Sequence, residues 1–195
     1  MKKVLLLLSK GFETYEASVF IDVIGWNNAE GDGTTELLTC GMTKEVHGAF
    51  RQRFIPDLLL DEIRVDEFDA LAIPGGFEIY GYYEDAYHEN FLALIREFHR
   101  QNKIIVSVCV GSLPVAKSGI LQGKRATTYT KGDGRRKAQL TAFGANFINE
   151  PIVAEGSIIS SWDPSTAISV AFILLEQLTS RKNAEHIRRI MGFSG

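Results

Sequence analysis

The residue best placed for nucleophilic chemistry is Cys109, which ends an apolar run from Ile104 to Val108 and is followed at once by Val110 and Gly111. A buried strand, a nucleophile, a tight turn and a helix in that order form a nucleophile elbow, which holds a side chain at the edge of a sheet. A helix that begins there directs its amide N–H groups and the positive end of its dipole toward the sulfur. A small buried core cysteine is the alternative, and the local pattern alone leaves both open.

Two further strand ends carry residues that suit the same chemistry. Pro74-Gly75-Gly76 follows an apolar run that ends at Ile73, and glycines there let a backbone amide approach closely and point at a developing oxyanion. Glu16 lies at the start of the first predicted helix, where a carboxylate is favourable without any further function. An ordinary turn and an ordinary surface carboxylate are the alternatives.

Strands and helices alternate along the chain, and their periodicity predicts the elements that position these residues. The sequence predicts strands over residues 4–8, 36–40, 69–73, 103–109, 123–129 and 152–160, one or two short strands within 44–55, and helices over 13–30, 91–98, 114–119, 135–143, 167–175 and 187–191. This alternation is typical of an α/β fold with a mostly parallel sheet and helices on both faces, and we expect a single domain over residues 1–195. Sites in such folds lie beyond the carboxyl ends of the strands.

The composition excludes several classes of protein. The chain has 195 residues, of which 45% are hydrophobic and 23% charged, and its formal net charge is −3. These are ordinary globular values, and they provide no broad basic face for nucleic acid. No segment approaches the ~20 apolar residues that cross a bilayer. Two cysteines, Cys40 and Cys109, favour a reducing compartment, so we expect a cytoplasmic protein that binds neither nucleic acid nor membrane.

The remaining polar clusters are interpreted as solvated. Six acidic residues between Asp57 and Asp69 have no histidine among them, which favours an exposed connection over a metal site. The basic run from Arg135 to Lys137 is interpreted as a solvated helix face, and the four histidines as surface residues: His47, His88, His99 and His186. We therefore expect no metal and no cofactor.

Four motifs, in order along the chain, resemble those of the ThiJ/PfpI superfamily. Lys10 to Glu16 resembles its opening, Ala72 to Gly76 its glycine turn, Val108 to Gly111 its elbow, and Gly119 to Thr128 the block that follows. The superfamily includes a parkinsonism-linked deglycase, PfpI-type proteases, metal-independent glyoxalases and isocyanide hydratase. The resemblance implies a flavodoxin-like three-layer sandwich of the class I glutamine amidotransferase type, which usually forms a homodimer.

The resemblance also implies roles for individual residues. Cys109 would be the nucleophile and Glu16 its carboxylate partner, and the backbone amides of Gly76 and Val110 would form the oxyanion hole. Three further residues would surround this site: Gly75, Gly111 and Tyr129.

Departures from the superfamily patterns narrow the function. Val110 stands where PfpI-type proteases have a histidine after the nucleophile, and Tyr129 stands where many deglycase-like relatives have one. Isocyanide hydratases resemble the chain elsewhere, but they carry Asp in place of Glu16 and Thr in place of Val110. Peptidase and hydratase activities are therefore less favoured. The hydroxyl of Tyr129 would replace the missing histidine as a hydrogen-bond donor, although it is a poor base at pH 7.

The energetics of a reactive thiol place a condition on Glu16. A pKa of ~5.5 in place of ~8.5 requires roughly 4 kcal/mol of stabilisation of the thiolate, whereas a helix N-terminus contributes at most ~2 kcal/mol. An ionised Glu16 within ~4 Å would oppose the thiolate by about 4 kcal/mol. Glu16 must therefore be buried and protonated, so that it donates a hydrogen bond to the sulfur.

We expect an enzyme of the glyoxalase or deglycase type, in which Cys109 adds to a small electrophile such as a 2-oxoaldehyde and Glu16 moves protons. The alternative is a stress-protective sensor without turnover, oxidised at Cys109 to a sulfenic or sulfinic acid. A ligand-sensing regulator is less favoured, because the sequence provides no DNA-binding helix pair. The aromatic loop from Tyr80 to Tyr87 is expected either to roof the pocket or to lie at a dimer contact.

Overall fold

The elements that position the candidate site were located in a computed structural model, which describes residues 1–193. The strands are β1 (Lys2–Leu8), β2 (Thr35–Gly41), β3 (Val46–His47), β4 (Arg53–Phe54), β5 (Leu58–Leu59), β6 (Ala70–Ile73), β7 (Ile104–Ser107), β8 (Arg125–Ala126), β9 (Asn146–Phe147), β10 (Ile152–Glu155) and β11 (Ile158–Ser161). The α-helices are α1 (Thr14–Glu30), α2 (Tyr82–Ala86), α3 (Glu89–Arg100), α4 (Ser112–Lys117), α5 (Arg135–Ala142), α6 (Ala167–Leu178) and α7 (Arg181–Ile190).

Seven strands form the central sheet, in the order β10-β11-β7-β6-β1-β2-β5. The neighbouring strands are parallel except for β10 and β11, which form an antiparallel pair. The prediction of a mostly parallel sheet is confirmed. The helices lie in two groups, with α1 packed against α6 and α7, and α4 packed against α3 and α5. The chain therefore has the three-layer α/β architecture that alternating strands and helices predict.

β1 explains the uninterrupted apolar run near the start of the sequence. It lies inside the sheet between β2 and β6, and each residue from Val4 to Leu8 is at most 1% exposed. A strand that is covered on both faces has no polar side to present, so its sequence does not alternate.

Some predicted strands end early or take another form. The strand predicted over 103–109 ends at Ser107, because the backbone turns at Cys109. The strand predicted over 123–129 is only the short β8, which pairs with β9 outside the central sheet; beyond it, the N–H of Thr127 donates to the hydroxyl of Ser160 at 3.0 Å. The strand predicted over 152–160 is the hairpin of β10 and β11, which turns at Gly156 with φ +61°.

The predicted connection over 57–69 also contributes the edge strand β5. Most of its acidic residues are exposed, as expected. Asp57 is exposed but has a structural role. Its carboxylate accepts hydrogen bonds from both the N–H and the hydroxyl of Thr39, and so ties the segment before β5 to β2. Within residues 1–193, no helix is long and apolar enough to span a membrane.

Candidate active site

The candidate site forms where three neighbouring strands end. β6 lies between β1 and β7 and runs parallel to both, so the carboxyl ends of the three strands meet at one edge of the sheet. The segment after β1 leads to Glu16 on α1, the segment after β6 contains Gly75 and Gly76, and β7 leads to Cys109. The sheet therefore brings together the three segments that the sequence singled out.

Cys109 has the backbone of a nucleophile elbow. Its φ is +56°, a left-handed conformation that costs about 1–2 kcal/mol for a residue other than glycine. The turn is held by the N–H of Val108, which donates to the carbonyl of Ile73 at 3.1 Å, and by the N–H of Gly111, which donates back to Val108 at 2.8 Å. A Cβ on Gly111 would lie 2.5 Å from the carbonyl oxygen of Ile73, so only glycine allows the elbow to pack this closely on β6.

Two hydroxyl groups further hold the elbow in place. The side chains of Ser112 and Thr128 each donate to the carbonyl oxygen of Cys109, both at 3.1 Å. Both residues are completely buried. Thr128 belongs to the block from Gly119 to Thr128, but neither residue was expected as a support, because a serine or threonine in a sequence does not indicate which carbonyl its hydroxyl reaches.

Glu16 is a buried carboxyl group in the first turn of α1. The residue is 0% exposed, and its Oε2 accepts the backbone N–H of Gly75 at 2.6 Å. Its Oε1 is buried without a hydrogen-bond partner among the described residues. Burial raises the pKa of Glu16 to about 8, although the Gly75 hydrogen bond acts in the opposite direction. The condition that the sequence analysis placed on Glu16, burial with a raised pKa, is therefore met.

These hydrogen bonds determine which carboxyl oxygen carries the proton. Oε2 accepts the N–H of Gly75, so its lone pair is occupied and the proton of the neutral acid belongs on Oε1. The interaction between the two side chains lowers the pKa of the Glu16 carboxyl and raises the pKa of the Cys109 thiol, as expected when the thiol faces an ionised carboxylate. When Glu16 is neutral, Oε1, which has no hydrogen-bond partner among the described residues, is the oxygen that would carry a proton for donation to the sulfur of Cys109.

The gap between these two side chains is kept open by Gly75. A Cβ on this residue would lie 2.9 Å from Oε2 of Glu16, 3.0 Å from Cβ of Cys109 and 3.0 Å from the nitrogen of Val110. Contacts that short do not occur at a real Cβ without displacement of a neighbour. Gly75 therefore serves the site twice, through its N–H and through its missing side chain.

The surroundings of Cys109 shift the pKa of its thiol in both directions. The residue is only 9% exposed, and burial raises the pKa of its thiol above the usual value, as does the charge of Glu16 when that carboxyl is ionised. The N–H of Val110 lowers the pKa of the thiol. In this structure burial and the charge of Glu16 outweigh the Val110 hydrogen bond, so the pKa of the thiol is raised. Protonation of Glu16 removes the repulsive charge and so favours the thiolate.

The two expected oxyanion donors lie beside the cysteine. Gly76 forms an isolated β-bridge with Phe12, and its own N–H makes no backbone hydrogen bond within the described residues. Val110 directly follows Cys109, and its N–H lowers the pKa of the thiol. Both residues line the same cavity as Cys109. The N–H of Gly75, by contrast, is occupied by Glu16 and is not available for a substrate.

A cavity of about 370 Å³ opens onto this arrangement. Of the seven residues predicted for the site, five line it: Glu16, Gly76, Cys109, Val110 and Tyr129. The other two, Gly75 and Gly111, lie behind the cavity wall and shape the backbone. The volume suits a small molecule rather than a folded protein chain.

The aromatic loop does not roof this cavity. Tyr82 is completely buried, and its hydroxyl donates to the carbonyl of Pro74 at 2.8 Å. Tyr82 therefore packs against the glycine turn on the side of the protein interior. A Cβ on Gly76 would collide with the Tyr82 ring. The wall that was expected from the tyrosines is instead formed by Phe77 and Ile79.

The structure also corrects two predictions about exposed residues. Arg136, expected on a solvated helix face, is 14% exposed in its side chain and lines the cavity together with Arg135. His99, expected at the surface, is partly buried; its Nδ1 has no hydrogen-bond partner, and its Nε2 lies 3.3 Å from Nζ of Lys124. None of the four histidines lines the cavity. Among residues 1–193, no group of three or more His, Cys, Asp or Glu side chains is arranged to hold a metal ion.

The chain is similar to known proteins in both sequence and fold. The chain matches the model of the DJ-1/PfpI family over residues 2–177. It is 29% identical over 165 residues to a protein named as a deglycase from Thermococcus kodakarensis, covering 83% of this chain and 90% of that protein. It is 24% identical over 183 residues to Protein DJ-1 homolog A from Arabidopsis thaliana; the match covers 93% of this chain but spans only 44% of that protein.

A solved structure with the same fold is DJ-1beta from Drosophila melanogaster. It superimposes with a TM-score of 0.86 at 22% sequence identity, over 100% of this chain and 99% of that chain. The family match covers nearly the whole sequence, and the structural likeness extends over all of it. The chain therefore belongs to the DJ-1/PfpI family.

Proposed function

We propose that this protein is a cysteine-dependent enzyme of the glyoxalase or deglycase type, acting on a small reactive carbonyl compound. The observation that carries the proposal is the arrangement of Glu16 and Cys109 on either side of Gly75, at a cavity that also exposes Gly76 and Val110. A relative named as a deglycase supports it.

The chemistry begins from a pair that shares one proton, a Cys109 thiolate beside a neutral Glu16, the thiol proton having gone to solvent; Sγ then bonds to the aldehyde carbon of a 2-oxoaldehyde. The negative charge that develops on the carbonyl oxygen is stabilised by the N–H groups of Gly76 and Val110. Glu16 then gives its Oε1 proton to this oxygen, which completes a hemithioacetal. Tyr129, which lines the cavity, is a further hydrogen-bond donor for the substrate.

The later steps need no external oxidant. Ionised Glu16 removes the hydrogen from the former aldehyde carbon, and a proton returns to the neighbouring carbon, so one carbon is oxidised and the other reduced. The resulting thioester is hydrolysed by one water molecule, which releases a 2-hydroxy acid and restores the proton to the Glu16–Cys109 pair. The overall reaction is 2-oxoaldehyde plus water to 2-hydroxy acid.

The test is conversion of methylglyoxal to lactate by purified protein. We expect Cys109→Ser to abolish the conversion and Glu16→Gln to lower kcat by at least about a hundredfold, because the proton carrier is lost. Cys40→Ser is the matched control, since Cys40 is also buried and free but lies on β2, outside the cavity. Equal activity in the wild type and Cys109→Ser would contradict the proposal.

A stress-protective role without turnover is the second candidate. It is favoured by the same Oε1 proton, which can donate to a sulfinate on Cys109, and by the position of Cys40 on another strand, where it cannot resolve an oxidised Cys109. Mass spectrometry after peroxide treatment tests it. This role is supported if Cys109 stops at the sulfinate in the wild type but reaches a different oxidation state in Glu16→Leu. An unmodified Cys109 contradicts it.

The proposal includes an assembly and a location. We propose one domain over residues 1–195 that acts as a homodimer in the cytoplasm. Exposed apolar side chains on α1, Ile21 and Trp26, support a dimer contact, and two unpaired cysteines are typical of a reducing compartment. Sedimentation equilibrium of the full chain, with Trp26→Glu as a variant, tests the dimer: a monomeric wild type would contradict it.

A further inference from the structure

Two arginines and one glutamate form a charged cluster on the cavity wall. Oε2 of Glu78 lies 2.9 Å from Nη2 of Arg135 and 2.8 Å from Nη2 of Arg136. All three residues line the cavity that contains Cys109. A single carboxylate oxygen thus pairs with two guanidinium groups. Each guanidinium can bind a whole carboxylate by itself, so the pair has unused hydrogen-bonding capacity.

Arg136 is held in position before any ligand binds. Its Nη1 donates to the side-chain oxygen of Gln139 at 2.9 Å, and its guanidinium carbon lies 5.0 Å from the centre of the Tyr83 ring. Its side chain is 14% exposed, whereas that of Arg135 is 54% exposed. A guanidinium that is stacked and partly desolvated loses little entropy when it binds an anion.

The start of α5 supplies the positive charge of this cluster. Arg135, Arg136 and Lys137 begin the helix, and no acidic residue lies in its first turn. The carboxylate of Asp133, just before the helix, accepts the N–H of Arg135 at 3.0 Å. The hydrogen bond from Arg136 holds the pKa of Glu78 below its ordinary value. Glu13 also lines the cavity, but its carboxylate accepts the N–H of Tyr15 at 3.4 Å, at the start of α1.

We propose that Arg135 and Arg136 bind a carboxylate group carried by the substrate, which displaces Glu78 from Arg136. The substrate is accordingly a 2-oxoaldehyde with an acidic substituent a few bonds from the reacting carbonyl groups. This inference rests on the proposed function for the reaction, but the anion site itself does not. Arg136 is a binding residue here, and Glu78 occupies its place while the substrate is absent.

A suitable probe substrate is 4,5-dioxopentanoate, whose aldehyde and ketone are two methylene groups away from a carboxylate. With one water molecule it gives 2-hydroxypentanedioate: the aldehyde carbon becomes a carboxylate and the ketone carbon becomes a secondary alcohol, so no oxidant or reductant is consumed. The matched uncharged substrate is 2-oxopentanal, which has the same chain length and gives 2-hydroxypentanoate.

Alkylation of Cys109 tests the anion site without any turnover. Iodoacetate and iodoacetamide transfer similar groups to a thiolate, but only iodoacetate carries a carboxylate, so the ratio of their rates cancels changes in thiol acidity. We expect Arg136→Gln to lower the iodoacetate-to-iodoacetamide ratio about tenfold and Arg135→Gln to lower it by a smaller factor, because each removes a charge-assisted hydrogen bond. Glu78→Gln should raise the ratio severalfold.

The control is Arg100→Gln, which removes an exposed arginine that pairs with Glu97 on α3, away from the cavity. It should leave the ratio unchanged. A ratio that is the same in the wild type, Arg136→Gln and Arg135→Gln would overturn the anion site. The use of two arginine positions keeps the test valid if one variant folds poorly, which thermal melting would reveal.

Steady-state kinetics then test the substrate class. In the wild type, kcat/KM should be about tenfold higher for 4,5-dioxopentanoate than for 2-oxopentanal, and Arg136→Gln should remove this preference mainly through KM. Equal kcat/KM for the two compounds would overturn the substrate class. If neither compound is converted but the alkylation ratio falls in Arg136→Gln, the proposed enzyme is contradicted while the anion site is supported.

Discussion

Gly75 donates its backbone N–H to Oε2 of Glu16 at 2.6 Å, and this single hydrogen bond orients the carboxyl group of the candidate site. It ties α1 to the end of β6, and it leaves Oε1 as the oxygen that carries the proton. Because the same glycine has no side chain, the thiol of Cys109 can approach from the other side.

Gly75→Ala should therefore damage the site more than the fold. The added methyl group would lie 2.9 Å from Oε2 and 3.0 Å from Cβ of Cys109, so we expect kcat/KM to fall at least tenfold and the free energy of unfolding to fall by about 1–3 kcal/mol. Gly25→Ala is the control, because a Cβ there meets nothing within 4 Å and alanine favours a helix by about 0.5–1 kcal/mol. Kinetics and urea unfolding measure both effects. Equal losses in the two variants would contradict this role of Gly75.

The raised pKa of Glu16 predicts how stability changes with pH. Burial moves the pKa from 4.5 to about 8 in the folded state, so the native protein binds this proton more tightly than the unfolded chain does. Below about pH 4 the carboxyl is protonated in both states, so its contribution to stability is fully present and does not change with pH. Stability then falls as the pH rises toward about 8, by up to about 5 kcal/mol in total.

Glu16→Gln should flatten this dependence, because glutamine does not ionise. The measurement is urea unfolding of the wild type and the variant at intervals between pH 5 and pH 8. Two curves with the same slope would show that Glu16 is not the group responsible.

The donor role of Glu16 predicts different effects for two substitutions. Glu16→Gln keeps an N–H donor beside the sulfur, whereas Glu16→Leu removes any donor and keeps the site apolar, so the apparent pKa of Cys109 should be higher in the leucine variant. Rates of alkylation by iodoacetamide across a pH series report this pKa, and Cys109→Ser supplies the background from Cys40. The same pH profile in both variants would refute the donor role.

The left-handed backbone at Cys109 predicts an unusual preference for glycine. At φ +56°, Cys109→Gly should give a more stable protein than Cys109→Ala, by about 1 kcal/mol, since only glycine is unstrained there. Position 40 provides the contrast: Cys40 lies in β2, where alanine should be the more stable replacement. Thermal unfolding of the four variants measures both differences. A preference for alanine at position 109 would indicate that the elbow relaxes when its side chain is removed.

Much of the site was visible in the sequence because buried apolar runs followed by glycine or cysteine are easy to recognise. The apolar runs before Gly75 and Cys109 identify parallel strands, and parallel strands that are neighbours end at one edge. The burial of Glu16 followed from the energetic condition on the thiol rather than from its neighbours in the sequence, which do not distinguish it from a surface carboxylate.

The residues that other parts of the chain bring to the cavity were not predicted. Arg136 belongs to a basic run that resembles any solvated helix face, and only its packing on Tyr83 and its pairing with Glu78 distinguish it. The tyrosine loop was expected either over the pocket or at a dimer contact, because aromatic composition gives no direction; Tyr82 is buried against the glycine turn, so the loop does not cover the pocket. The early end of β7 also escaped prediction, since the valine and cysteine beyond it suit a strand equally well.

The position of β6 between β1 and β7 has a consequence for how the protein acquires its reactivity. Cys109 meets Glu16 only after a strand that lies between them both in sequence and in space has docked. A newly synthesised or partly unfolded chain therefore carries an ordinary cysteine, and the unusual sulfur is a property of the finished molecule alone.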